Sequence, residues 1–175
     1  MKSFIVVAAT AAAAFMSPAI AMAHDGTIFF TGEVTAPTCT YVSPDGYQSV
    51  ALPKVSATAL KRSGDVAGQT PFTVALKDCS DVGAKVAIHL DAIAFDPDWG
   101  TLQNTAPEAS GAKKVTVALS DGRTGDFISV PGASASVEQQ TDGTAVIPLM
   151  ASYMATGQAT AGAVTSSVNF SIIYP

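Results

Sequence analysis

Residues 166–175 read SSVNFSIIYP. Val168, Phe170, Ile172 and Tyr174 alternate there with Asn169, Ser171 and Ile173, which is the two-residue period of a strand that buries one face. Chain ends ordinarily fray, yet this apolar strand runs to the penultimate residue and no later segment follows to pair with it. A sandwich needs its central strands paired on both edges, because bare N–H and C=O groups beside an apolar row invite association. The neighbour of this strand is therefore the question that decides the fold.

The same alternation recurs along the chain. It is present at 27–35 (TIFFTGEVT), where Ile28, Phe30, Gly32 and Val34 face away from Phe29, Thr31 and Glu33. It returns at 71–79, 84–92, 113–121, 126–130, 144–155 and through 163–174. Turn chemistry separates these segments: Pro44-Asp45-Gly46, Asp81-Val82-Gly83, Asp121-Gly122, Pro131-Gly132, Asp142-Gly143 and Gly157. No useful 3.6-residue pattern occurs beyond the first residues, and 55–65 could form at most a helical turn. About seven short strands with regular turns predict an all-β sandwich, with no repeat and no internal linker.

The first residues predict export. Lys2 precedes the uncharged run SFIVVAATAAAAFM, then Ser17-Pro18, then small residues ending in Ala21-Met22-Ala23. This is the layout of a secretory signal with an A-x-A site, so residues 1–23 are expected to be removed, with cleavage after Ala21 as the alternative. The apolar run is too short and too rich in alanine for a membrane anchor. The formal charge is −5, and loss of Lys2 makes it one unit more negative. With acidic residues scattered and no basic stripe, the surface argues against nucleic acid or anionic membrane as a partner. Cys39 and Cys79 are the only cysteines. In an exported chain one disulfide is expected between them, closing a loop of about 40 residues worth about 4 kcal/mol in the chain-entropy model. Their spacing excludes a CxxC redox motif, and no neighbouring histidines complete a zinc site.

Catalytic chemistry is hard to place. His24 and His89 are far apart; His24 as a mature N-terminus would bind copper weakly at most, and His89 reads as a solvated strand residue opposite Val86, Ile88 and Leu90. Asp96-Pro97-Asp98-Trp99-Gly100 resembles a calcium loop faintly but lacks the further acidic ligands at the required spacing. A loop in which Trp99 covers a core edge is the expectation. No G-x-S-x-G, H-E-x-x-H or phosphate loop occurs. Asn169-Phe170-Ser171 matches a glycosylation sequon, read as chance within a strand. No enzyme activity and no cofactor are expected.

Together these stretches resemble the chaperone–usher pilins, specifically type 1 fimbrial shaft subunits. DGTIFFTGEVTAPTC (25–39) is similar to the family's N-terminal extension, with a glycine seven residues before the first cysteine. FTVALKDCS (72–80), VALSDGRTGDFI (117–128) and the run from Asp142 to Pro175 resemble the family's later segments. The resemblance implies residues 24–38 as an extension and 39–175 as a pilin domain. That domain would be an incomplete immunoglobulin-like sandwich lacking its final strand. The groove beside Val168, Phe170, Ile172 and Tyr174 would be filled first by a periplasmic chaperone. At an outer-membrane usher, the next subunit's extension would replace it. Such strand addition to an exposed sheet edge is an established mode of peptide recognition, and pilins are among its known instances.

Ile28, Phe30 and Val34 would then plug successive apolar pockets. At about 1.5–3 kcal/mol per large buried side chain, the three give roughly 5–9 kcal/mol before ordering costs. Gly32 would permit close approach and staged displacement; otherwise it relaxes a strand. The C-terminal carboxylate of Pro175 would be held by basic chaperone residues. The resemblance thus implies a cell-surface fimbrium built from identical or related subunits. A minor tip or adaptor subunit, a secreted ligand-binding sandwich, and a monomer complemented by its own residues 27–35 are the competing readings.

Overall fold

The computed structural model describes residues 28–32, 39–43 and 45–175. The expected signal peptide, His24, Val34 and the rest of 33–38 lie outside the described residues. The chain divides into two units, Met1–Thr35 and Ala36–Pro175, and the second carries the sandwich.

Its strands are β1 (Thr40–Tyr41), β2 (Val66–Lys77), β3 (Lys85–Asp91), β4 (Phe95–Asp96), β5 (Thr101–Gln103), β6 (Val115–Asp121), β7 (Phe127–Ile128), β8 (Gly132–Ala133), β9 (Val137–Glu138), β10 (Ala145–Ala155) and β11 (Asn169–Ile173). One sheet has the order β1-β2-β10-β6-β5-β4, with β7 also on β6. The other has the order β11-β3-β8, with β9 also on β3. Their inner faces supply the main core, in which Leu76, Val86, Ile88, Val130, Ile147 and Leu149 are fully buried, and a smaller cluster gathers Leu60, Ala112, Val115, Ala155 and Ala159.

The expected segments at 84–92, 113–121 and 144–155 appear as β3, β6 and β10. The 71–79 segment starts earlier, at Val66. A bulge interrupts the alternation there: Thr70 pairs with Ala151, but Ala67 pairs with Tyr153. Gly68 occupies the bulge at φ +68, and a Cβ added to it would lie 2.9 Å from the Tyr153 ring. Only glycine combines that backbone conformation with that close approach. The short strands β1, β4, β5, β8 and β9 are not foreseen by the periodicity, since two or three residues cannot display a period. Residues 55–65 hold one 3-10 turn, Ala57–Ala59, in which the amide of Thr58 donates to Oγ of Ser56 at 3.2 Å.

Prolines within strands sit where the ladder has no use for an N–H. Pro148 lies in β10 one residue before its pairing with β6 begins at Leu149–Asp121, and its carbonyl accepts from Gly122. Pro71 lies in β2 beyond the stretch that β1 covers, which ends at Leu76. Cys39 and Cys79 form the expected disulfide across 40 residues, both buried. It ties the entry to β1 to the turn after β2.

Two loops differ in detail from the expectation. Trp99 is 39% exposed, and the turn before it is made by Asp96, whose Oδ1 accepts from the amides of Asp98 and Trp99 at 3.0 and 3.3 Å. A carboxylate occupied in this way stabilises the turn without an ion. Residues 28–32, expected within a strand, belong to none, because a strand exists only where a partner supplies the ladder.

At the end of β6, Asp121 accepts at Oδ1 from the amides of Arg123 and Thr124 (2.7 and 3.2 Å), and at Oδ2 from Nη2 of Arg123 (3.1 Å). The Arg123 guanidinium and these amides hold the buried carboxyl below its ordinary value of 3.8, against the opposing effect of burial. A depressed folded pKa stabilises above the unfolded value and is lost as pH falls through the folded one. The urea midpoint should therefore fall as pH drops below about 4, and Asp121→Asn should flatten that fall. Gly68→Ala should lower the unfolding free energy by about 1–3 kcal/mol in the same urea titrations.

Candidate functional site

Strand β11 pairs with β3 alone among the described residues. The register sets Phe170 opposite Leu90 and Ile172 opposite Ile88, so all four side chains point toward the core. Their burial nevertheless differs. Ile88 and Leu90 are 0% and 2% exposed, whereas Phe170, Ile172, Val168 and Tyr174 are half-buried against the same core. The inner face of the sandwich is thus complete under β3 and incomplete under β11.

The gap is a groove of about 1260 Å³. Its floor is the core itself, including Val74, Val117, Leu119 and Leu149. One wall is the run from Val164 through β11 to Tyr174, and the other is β1 with residues 46–52. A volume beyond the roughly 300–1,000 Å³ of small-molecule pockets, bordered by an unpaired strand edge, suits an extended peptide better than a compact ligand. Tyr41 reaches over the groove, edge-on to Phe170 with centroids 5.0 Å apart. Its hydroxyl donates to Oε1 of Gln48 (3.0 Å), and Nε2 of Gln48 donates to the Thr73 carbonyl (3.0 Å). This chain of bonds braces the second wall against β2.

All four residues expected on the acceptor face are brought together here, although Val168 lies just before β11 rather than within it. Tyr174 does more than line the groove: its hydroxyl accepts from the amide of Cys39 at 2.9 Å. That bond joins the far end of one wall to the disulfide at the foot of the other. Of the expected donor residues, Ile28 is 79% and Phe30 90% exposed, and Phe29 on the opposite face is 86% exposed. A Cβ on Gly32 would meet nothing within 4 Å. Large apolar side chains exposed in succession are the mark of an interaction segment.

Sequence reading missed Tyr41 and residues 46–52 with Gln48 among them, because that stretch of sequence shows no clear period. His89 is exposed on β3. Among the described residues, no three or more His, Cys, Asp or Glu side chains are grouped to hold a metal, and no helix is long and apolar enough to cross a membrane.

A two-sheet sandwich whose core lies open beside a strand paired on one edge among the described residues is an incomplete immunoglobulin-like fold, the class of the pilus subunits. The fimbrial protein family model matches residues 28–175, and the chain belongs to that family. It is 38% identical to the F17 fimbrial protein of Escherichia coli, over 90% of this chain and 92% of that one. It is 39% identical to the major fimbrial subunit SMF-1 of Stenotrophomonas maltophilia (strain K279a), over 90% and 97%. Among solved structures, the P pilus rod subunit PapA shares the fold with a TM-score of 0.62 at 16% identity, over 79% of this chain and 100% of that one. The protein is a structural subunit of a surface fimbrium and not an enzyme.

Tyr174→Phe removes the acceptor of the Cys39 amide. It should lower stability by about 1 kcal/mol in urea titrations, with the disulfide intact by thiol assay.

Proposed function

We propose that this subunit forms the shaft of a chaperone–usher fimbria and polymerises by donor-strand exchange. The observation that carries the reading is the half-burial of Val168, Phe170, Ile172 and Tyr174 along a strand with one open edge. A strand laid in the groove would complete the core and take up the free backbone groups of β11 in one step. The inserted strand is residues 27–35 of the next subunit, with Ile28, Phe30 and Val34 in the pockets and Gly32 at the point of closest approach. Exposure of Ile28 and Phe30 supports this role, since they have apolar surface still to bury.

The chain reaches that state by export. Residues 1–23 are removed as a signal peptide, leaving the extension 24–38 and the pilin domain 39–175. In the periplasm a chaperone lends a strand to the groove and basic residues to the Pro175 carboxylate. At the outer-membrane usher the next subunit displaces it.

Deleting residues 24–35, in cells that supply chaperone and usher, should abolish surface fibres while chaperone-bound subunit still accumulates. Heat-resistant polymers from that variant would sink donor-strand exchange. Phe30→Asp should block subunit addition and leave chaperone capture unchanged, since a carboxylate cannot enter an apolar pocket without a large desolvation cost. Loss of capture would instead place Phe30 in the subunit's own core. Monomers that bury their own residues 27–35 would show Phe30 protected in the absence of any second subunit.

A further inference from the structure

Asn104 follows directly on β5, which lies between β6 and β4 in the larger sheet, and is half-buried. Its amide group makes four hydrogen bonds. Oδ1 accepts from the amides of Ala106 (3.0 Å) and Thr165 (2.9 Å), and Nδ2 donates to the carbonyls of Ala112 and Ala163, both at 2.9 Å. That is the full capacity of an asparagine side chain. Two of the four bonds stay within the loop that follows β5. The other two cross to residues 163–165, the segment that leads into β11 and belongs to the groove wall.

Neighbouring contacts repeat the crossing. The amide and hydroxyl of Thr105 both donate to the Thr165 carbonyl, at 2.8 and 3.0 Å, and Ser166 Oγ donates to the Gln103 carbonyl at 3.0 Å. Gly162 packs so closely on Gly111 and Ala112 that a Cβ there would collide with their backbone. Val164 and the residues after it are thereby held at a fixed distance from the larger sheet. At the other end of β11, Tyr174 is held by the Cys39 amide.

We propose that Asn104 is a positioning residue for the strand-accepting groove: it anchors residues 163–165 so that this end of the groove is already in place for the incoming strand. The proposal rests on the donor-strand reading of the groove. A pre-ordered site loses less conformational freedom when it is filled, so the anchor acts chiefly on how long an inserted strand stays.

The test uses chaperone-captured subunit mixed with a synthetic peptide of residues 24–38. Peptide uptake and release are followed alongside amide hydrogen exchange on the same samples. Asn104→Ala should release peptide about tenfold faster, the equivalent of one to two lost hydrogen bonds. The amide of Thr165 should lose protection while amides in β2, β6 and β10 keep theirs. Asn104→Asp keeps the acceptor for Ala106 and Thr165 but turns an oxygen toward two carbonyls, and should fall between alanine and wild type. Thr105→Val removes one bond to Thr165 and leaves Asn104 intact. It carries the same test should the alanine variant not accumulate, with release about threefold faster expected. Release within about twofold of wild type for every variant that folds would overturn the proposal. So would a uniform loss of protection across β2, β6 and β10, which marks a purely structural residue. Failure of wild-type subunit to take up the peptide overturns the donor-strand reading and the positioning role with it, before any variant is compared.

Discussion

The antiparallel ladder between β11 and β3 is the constraint on which the rest of the molecule depends. It holds β11 on one edge and leaves the other edge to a groove. Because the inward side chains of β11 lie over the same core as Ile88 and Leu90, the ladder turns the sandwich's missing strand into a long apolar slot. Free edges are a liability in most sheets, managed with charge, proline or a bulge. β11 carries none of these, in keeping with the strand insertion proposed for that edge.

The slot is not simply a gap between two sheets. Tyr174 bonds to the Cys39 amide at one end, and Asn104 bonds to residues 163–165 at the other. The Cys39–Cys79 disulfide stands behind the first of these contacts, joining the approach to β1 to the end of β2. Between the ends, Tyr41, Gln48 and Thr73 brace the opposite wall. The groove is thus a feature with fixed boundaries, in keeping with the extended strand proposed to fill it.

Legibility in the sequence followed element length and periodicity. β3, β6 and β10 are long enough to show a period of two and were readable with boundaries within about two residues. β2 was half legible, because Gly68 in its bulge interrupts the alternation. The two- and three-residue strands were invisible: their pairing is imposed by neighbours already in place. Val168, Phe170, Ile172 and Tyr174 were legible as one apolar face. Asn104 was not, since an isolated asparagine looks like any loop residue until four backbone groups from distant segments converge on it.

Local chemistry written in the chain determined the class of fold, the disulfide, and the presence of two apolar alternating segments, one at 27–35 and one at the end of the sequence. These depend on residue type and short-range spacing, which tertiary context does not alter. Only the tertiary structure decided that β11 has a partner on one side alone among the described residues, that the face beside it is half-buried, and which residues hold the groove at its ends. Those are properties of what lies next to what. The same SSVNFSIIYP would serve equally well as an interior strand in a completed sandwich.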